Sequence, residues 1–525
     1  MTAATLLPRA TVSKAGVGNY LFTGQTQIYC PTGADPGLLS AAYSFSGQLA
    51  RIFQRHTPVV LHRSVPQDSI YIGNKAPFAF FAMENKTKRR AKSAMDAEQY
   101  VLSVNEQGAV VRAASSSGFL YAMQTLIQLV TLDRQNQPVI AGGFFEDGPL
   151  YPYRGLMLDP ARHFIEPEFI KRTIEAMSLC KLNTLHLHLT DDQSICVESK
   201  VYPELTAYSS RGRFYSQEQM KELINYALVR GVTVVPEFDM PAHADALMHA
   251  LPFLHCLGKR LDLRDKRYGN NNTALCVSKA STFEFIEGFL AEMAALFPAP
   301  VVHIGSDEVG GAGGEEDKTG PWDMCPDCQA LVRQHGWPPE RVYRELQCQF
   351  LLQVQQILHK LGKKLMGWEE ITWAKDLSRE GLVQHWCWPA DQLVKILQQG
   401  HTVVLSQLVE SRMYLDYSHS DLSIERLYHD RLLPANLTTE EIARVYGVEA
   451  CMWCYPQKDL DFLLWPRLLV TAEFGWSGDE KKNLTEFLHR SEKMVDLLRQ
   501  LCTVDVGPIY PPYVNRSSIR PPGTF

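Results

Sequence analysis

From Tyr151 onward the chain alternates short apolar runs with longer segments that carry apolar residues at helical spacing. The runs are "GLMLDP" (155–160), "TLHLHLTDD" (184–192), "TVVPEFDM" (233–240), "VVHIGSDE" (301–308), "KLMGWEE" (364–370), "LVQHWCW" (382–388), "TVVLSQ" (402–407) and "GVEACMW" (447–453). Strands that are apolar along their length and alternate with helices belong to a parallel sheet covered on both faces. Eight such units over roughly 330 residues predict an α/β protein with a (β/α)8 TIM barrel and loop insertions. A doubly wound open sheet is the alternative, but no G-x-G-x-x-G or P-loop supports it. Residues 1–150 read differently, with β-like runs such as "YVLSVNEQGAVVRAA" (100–114) followed by a helical pattern in "GFLYAMQTLIQLV" (118–130). The expected division is a small α+β domain over 1–150, the barrel over 151–500 and a C-terminal tail over 501–525.

In such barrels chemistry sits at the C-terminal ends of the strands. Here those ends carry Asp159, Asp191, Asp239, Asp307, Glu308, Glu369, Trp386 and Trp453. Some acids are expected there as helix caps, but a majority of the eight ends is more than capping needs. All nine tryptophans lie at or after Trp322, and Trp368, Trp386, Trp388 and Trp453 fall at or near strand ends. One tryptophan is ordinary core filling, whereas several beside acids at one barrel end make a wall suited to the flat C–H face of a sugar ring. Asp307 and Glu308 are adjacent, so they cannot flank a bond from opposite sides as the two carboxyls of ordinary glycosidases do. They can enter one site from the same wall at different depths. Gly305 and Gly310 nearby allow close backbone approach.

Composition narrows the alternatives. An apolar fraction of 45% is that of a globular chain. A net charge of −6 with both signs mixed argues against a nucleic-acid binder, and the basic run "KTKRRAK" (86–92) reads as a solvated loop. No apolar run approaches the roughly 18 residues of a membrane span. The N-terminus lacks the apolar region of a signal peptide, so the protein is expected to be cytoplasmic, or exported with its leader already removed. Twelve cysteines scatter without a framework and are expected to be reduced and buried. Cys325 and Cys328 form a C-x-x-C pair with no second such pair nearby, which favours a structural role over a metal site or disulfide.

"HIGSDEV" resembles the signature of the family 20 glycoside hydrolases, the β-N-acetylhexosaminidases. The resemblance covers nearly the whole chain, because "YRGLMLDPARHF" (153–164), "KLNTLHLHLTDDQS" (181–194), "GVTVVPEFDMPAHA" (231–244), "MGWEE", "HWCW", "YLD" (414–416) and "GVEACMW" follow in the family's order. It implies hydrolysis of terminal β-linked N-acetylglucosamine or N-acetylgalactosamine from glycans, with retention. The substrate's 2-acetamido oxygen would be the nucleophile and an oxazolinium the intermediate; the family is a substrate-assisted exception among glycosidases. By position Asp307 would orient and stabilise the acetamido group, and Glu308 would be general acid and then base. The charge of Asp307 is expected to raise the pKa of Glu308. Tyr414 would donate to the acetamido oxygen. Arg154 and Asp416 would hold sugar hydroxyls, Trp368, Trp386 and Trp453 would wall the pocket, and Asp191 and His243 would tune Glu308.

The resemblance implies no cofactor and no metal; the partner is a glycan or glycoconjugate, without nucleic acid or membrane insertion. Tyr455 stands where the family usually has a glutamate that grips outer hydroxyls. Gluco versus galacto preference, a 6-sulfated sugar or a lacto-N-bioside therefore stay open. Two other classes compete. One is a metal-dependent amidohydrolase-like barrel using His186, His188, His243 and His303; the other is a non-catalytic sugar binder, against which the intact acid pair argues.

Overall fold

The computed structural model describes residues 6–73, 97–261, 263, 273–309 and 322–513; the basic run 86–92 and Gly310 lie outside them. The N-terminal sheet contains β1 (Val12–Leu21), β2 (Gln27–Pro31), β3 (Val59–His62), β4 (Ser69–Gly73), β5 (Tyr100–Asn105), β6 (Gly108–Ala113), β7 (Val130–Leu132) and β8 (Pro138–Asp147). Its order is β1-β8-β5-β6-β4-β2-β3, with β7 paired to β8. The expected run 100–114 is the β5–β6 hairpin, in which Asn105 pairs with Gly108. The expected helix is Ser116–Leu129, packed on β5 and β6 and also touching the barrel helix Pro167–Leu179. It is buried from Gly118 to Leu129, which is why its apolar pattern runs all round rather than along one stripe.

The eight predicted barrel strands are all present: β9 (Tyr153–Leu158), β10 (Thr184–Thr190), β11 (Thr233–Phe238), β12 (Val301–His303), β13 (Lys364–Trp368), β14 (Leu382–His385), β15 (Thr402–Leu405) and β16 (Val445–Met452). They pair in parallel and close, with β16 beside β9. Side chains alternate along a strand, and this period divides the interior into layers. Tyr153, Val235, Val301, Met366, Leu382 and Val404 form one apolar cluster. Two residues further along the same strands stand Gly155, Glu237, His303, Trp368, Gln384 and Ser406. Here the interior turns polar. Glu237 lies 3.1 Å from His186 and 2.9 Å from His303, and Gln384 donates to Glu449 at 2.6 Å. A β-carbon on Gly155 would come within 2.6 Å of the Glu449 carboxylate, so only glycine leaves that acid its space.

The two units are joined by a buried ion pair. Asp147, at the end of β8, accepts from Lys181 Nζ at 3.0 Å, Tyr100 Oη at 2.6 Å, Trp476 Nε1 at 2.9 Å and the Thr11 amide at 2.9 Å. Burial alone would raise this carboxyl, but Lys181 and the other donors hold it below the usual range. Arg154 belongs to the same junction, between the rings of Tyr121 and Trp476. The helix Leu484–Cys502 also ties the units, packing on Pro36–Phe53 and on Pro167–Leu179.

Removing one member of a fully buried pair strands the other. Asp147→Ala is expected to cost about 3–5 kcal/mol, seen as a lower urea midpoint. The folded pKa is depressed, so wild-type stability from this group is present above the unfolded pKa of about 4 and is lost as pH falls. A variant with the wild-type midpoint at neutral pH would remove Asp147 from this role.

Candidate active site

The adjacent acids reach one site through an unusual turn. β12 ends at His303, and the chain then passes through Gly305 (φ 62°), Ser306 (φ 71°) and Glu308 (φ 51°). Left-handed backbone at a residue other than glycine costs on the order of 1–3 kcal/mol and persists only where surroundings impose it. Those surroundings are specific. Asp239 Oδ1 accepts from the Ser306 amide at 3.1 Å, Gln347 donates to the Ser306 carbonyl at 2.8 Å, and the Trp368 amide donates to the Gly305 carbonyl at 3.0 Å. The left-handed turn breaks the strand's alternation, so Asp307 and Glu308 converge.

They converge on His243, itself at φ 48° after β11. Its Nε2 lies 3.4 Å from Glu308 Oε2 and 3.9 Å from Asp307 Oδ2, and its Nδ1 lies 3.5 Å from Asp191 Oδ1. Asp191 is fully buried and also meets His188 Nε2 at 2.7 Å and Arg162 at 2.7 Å. Burial opposes charge on His243, but Asp191 and Glu308 outweigh it and raise the imidazole well above its usual range.

The acids titrate in the opposite sense to the expectation from sequence. Burial, with Glu308 adding repulsion, pushes Asp307 up to about 6. Burial also works to raise Glu308, but the hydrogen bond and charge of His243 prevail and leave it below the usual range. The mutual repulsion therefore falls on Asp307, because His243 stands closer to Glu308.

The strand ends that follow β12 carry an aromatic wall. Trp368 lies 6.0 Å from Trp386 and 5.6 Å from Trp453, while Tyr414 stacks on Trp386 at 6.3 Å with 8° between the planes. Glu369, expected only as a strand-end acid, builds this wall: its carboxylate accepts from the amides of Trp386, Cys387 and Trp388. Buried Glu370 accepts from Trp386 Nε1 at 3.2 Å. Tyr414 Oη, Asp416 Oδ1, Asp307 Oδ1 and Arg162 Nε are buried without a hydrogen-bond partner among the described residues. Unmatched buried polar atoms cost roughly 1–3 kcal/mol each, and these four lie at the barrel mouth. Burial also pushes Asp416 up to about 7.

One expected site residue is elsewhere. Arg154 is the second residue of β9, at the N-terminal end of the barrel and with outward parity. It is fully buried and hydrogen-bonded to Glu98, Tyr121 Oη and the Tyr151 and Lys181 carbonyls. Two cations do stand at the mouth: Arg162, held by Asp159 at 3.1 Å and Asp191 at 2.7 Å and lying over the Trp453 ring, and Arg412, over the rings of Trp386 and Tyr414. The other expected residues, Asp191, His243, Asp307, Glu308, Trp368, Trp386, Tyr414, Asp416 and Trp453, lie at or just beyond the C-terminal strand ends. Tyr455 is buried beside Arg467. The histidines of the metal alternative are taken up by carboxylates: His186 by Glu449 and Glu237, His188 by Glu237 and Asp191, His303 by Glu237.

Fold and site together define a (β/α)8 barrel with an acidic, aromatic-walled site at its C-terminal end. The sequence profile of the glycosyl hydrolase family 20 catalytic domain matches residues 151–479, and that of the family's domain 2 matches residues 4–147. The chain belongs to glycosyl hydrolase family 20. A beta-hexosaminidase of Porphyromonas gingivalis is 33% identical over 422 residues, covering 75% of this chain and 52% of that protein. One of Vibrio furnissii is 33% identical over 419 residues, covering 74% and 66%. The chain thus spans about half to two thirds of these relatives. Among solved structures, a Vibrio harveyi exo beta-N-acetylglucosaminidase in complex with N-acetylglucosamine superposes with a TM-score of 0.78 at 29% identity, covering 97% of this chain and 79% of the other. A Flavobacterium johnsoniae chitobiase gives 0.78 at 27% identity, covering 95% and 74%.

The turn itself can be tested. A β-carbon on Gly305 would lie 1.8 Å from Asp239 Oδ1, and φ there is 62°. Gly305→Ala is expected to destabilise by about 2 kcal/mol or more, from clash and strain together. Equilibrium unfolding in urea measures this; an unchanged midpoint would show that the turn relaxes freely.

Proposed function

We propose that the protein is an exo-acting β-N-acetylhexosaminidase, releasing terminal β-linked N-acetylglucosamine or N-acetylgalactosamine with retention. The observation that carries this reading is the delivery of Asp307 and Glu308 to one imidazole nitrogen from adjacent chain positions. Opposed carboxyls about 5–5.5 Å apart would supply a protein nucleophile; two acids on one strand tip leave that task to the substrate. The acetamido oxygen attacks C1, the bond from C1 to the leaving oxygen breaks, and that oxygen takes a proton from Glu308. Asp307 stabilises the positive charge that develops on the acetamido nitrogen, and Tyr414 donates to its oxygen. Water then attacks C1, gives its proton to Glu308, and the acetamido oxygen departs.

The proton inventory supports these roles. In the free site the proton beside Glu308 rests on His243, held there by Asp191. Glu308 is still 23% exposed, and a sugar seated against the aromatic wall would exclude water from it and raise its proton affinity. Transfer from His243 then makes Glu308 the acid. Arg162 and Asp416 would take the outer hydroxyls. Tyr455 offers no carboxylate to discriminate O4, so the reading embraces both epimers.

The reading is tested by comparing aryl β-glycosides that carry a 2-acetamido group with their 2-hydroxy counterparts. Well-placed intramolecular groups reach effective molarities of about 10⁵ M or more, so the 2-hydroxy sugars are expected to be slower by at least about 10³-fold. Asp307→Asn is expected to lower kcat about 10²–10³-fold while binding changes little. Because Asp307 must be ionised and its pKa is raised, wild-type kcat/KM should fall as pH drops below about 6, a limb absent from the variant. A glycosyl ester trapped on any carboxylate by a fluorosugar would sink the mechanism.

Glu308→Gln separates acid catalysis from binding. Poor leaving groups should lose about 10²–10⁴-fold, and activated aryl leaving groups much less. Equal losses across a leaving-group series would take the acid role away from Glu308.

A further inference from the structure

The expectation that Cys325 and Cys328 lack a second pair does not survive folding. Cys256 and Cys276, 20 residues apart in the loop after β11, meet them, and the four sulfurs lie within 4.8 Å of one another. Cys276 Sγ is 3.8 Å from both Cys325 Sγ and Cys328 Sγ. All four residues are buried and none is in a disulfide. We propose that these four cysteines bind one structural zinc ion, which fastens the loop carrying His243 to the loop carrying Asp307 and Glu308.

The distances carry chemical meaning. Zinc–thiolate bonds of about 2.3 Å arranged tetrahedrally place the sulfurs about 3.8 Å apart along each edge. A disulfide requires about 2.05 Å, and neutral thiols packed as small apolar groups have no reason to gather four to one point. The surroundings suit thiolates. Cys325 is the N-cap and Cys328 lies in the first turn of the helix Pro326–His335, where the helix dipole favours negative charge. Ser278 Oγ stands 3.2 Å from Cys328 Sγ and 3.4 Å from Cys276 Sγ, where its one hydroxyl proton can be given to either thiolate. Lys279 Nζ donates to the His255 and Cys256 carbonyls at 2.9 and 3.1 Å, bringing a cation beside a centre whose four thiolates exceed the metal's charge by two.

The frame around the cysteines is independently pinned. The Cys276 amide donates to the Leu254 carbonyl at 2.8 Å, and Trp322 Nε1 donates to the Leu275 carbonyl at 2.9 Å. A closed four-thiolate site has no open position for substrate, so its role is to hold structure. What it holds is the spacing between two active-site loops, one from β11 and one from β12.

The test uses the full chain, purified without chelator and dialysed against metal-free buffer, with metals measured by mass spectrometry. About one zinc per chain is expected, released in step with modification of four thiols by a mercurial. Cys276→Ala and Cys328→Ala should each retain less than about a tenth of that zinc, whereas Cys256→His should keep it because Cys₃His sets also bind zinc tightly. The Cys256→His variant guards against simple misfolding. Cobalt substituted into wild type should give the visible absorption of a tetrahedral thiolate site, lost in Cys276→Ala. The proposal is overturned by zinc that persists in the alanine variants, by a folded wild type that takes up no zinc when supplied with it, by disulfides among these cysteines, or by iron in their place.

Discussion

One buried carboxylate holds the site together. Asp191 directly follows β10 and receives three cations or potential cations: Arg162, His188 and His243. A carboxylate without water is costly unless its partners are close and well aimed; here burial alone would raise Asp191, and Arg162 with His243 brings it well below the usual range. Each partner leads to a different part of the site. Arg162 reaches the Trp453 ring, His188 reaches Glu237 in the polar layer, and His243 reaches both adjacent acids. The charge of His243, and through it the proton affinity of Glu308, depends on Asp191 staying ionised.

This arrangement opposes stability, and the barrel offsets the cost by layering. The apolar cluster of Tyr153, Val235, Met366 and Val404 closes the end away from the site. Above it the acids Glu237 and Glu449 are each matched to imidazole, amide or phenol groups, among them the hydrogen bond from Tyr153 to Glu449. At the top Tyr414, Asp416, Asp307 and Arg162 each hold an unmatched atom, as His186, His303 and Gln384 do in the layer below. Left-handed backbone gathers at the same level, at His243, Ser306, Glu308 and Cys454. Strain and unmet hydrogen bonding thus coincide at the C-terminal end, where a ligand would relieve the second.

Much of this was legible in the chain. Parallel strands are buried on both faces and read as apolar runs, so all eight barrel strands stood out. Aromatic and acidic residues clustered at strand ends because the fold places function there. Arg154 does not reach the site because of its place on β9: it is the second residue of a strand on which Tyr153, Gly155 and Met157 face inward, far from the chemical end. Arg162, three residues after a strand-end aspartate, stands at that end. The cysteine cluster was hidden for another reason. Its members are separated by 19, 48 and 2 intervening residues, and only the convergence of two loops brings them together. The titration order of Asp307 and Glu308 likewise depended on a histidine 64 positions earlier in the chain than Asp307.

That histidine bears on why adjacent acids would be kept at all. The proposed reaction needs Glu308 to give a proton in one step and accept one in the next. A carboxyl with a strongly raised pKa would serve the first step and hinder the second. With His243 at 3.4 Å the proton rests on the imidazole, which Asp191 and Glu308 raise, and the carboxyl of Glu308 is lowered in turn, so a proton taken up by Glu308 in the second step has a place to return to. Asp307 takes no part in that exchange but sets its background: burial raises it to about 6, near neutrality, so its charge can respond to an acetamido group placed against it. In the proposed reaction the pair would therefore divide two duties that one carboxylate could not hold at once. Charge opposite the acetamido group must persist through both steps, while the proton beside the leaving oxygen must move in each. Adjacent positions on a left-handed turn allow two acids to share a site while the environment of each is set by different neighbours, Asp307 by burial and Glu308 by His243.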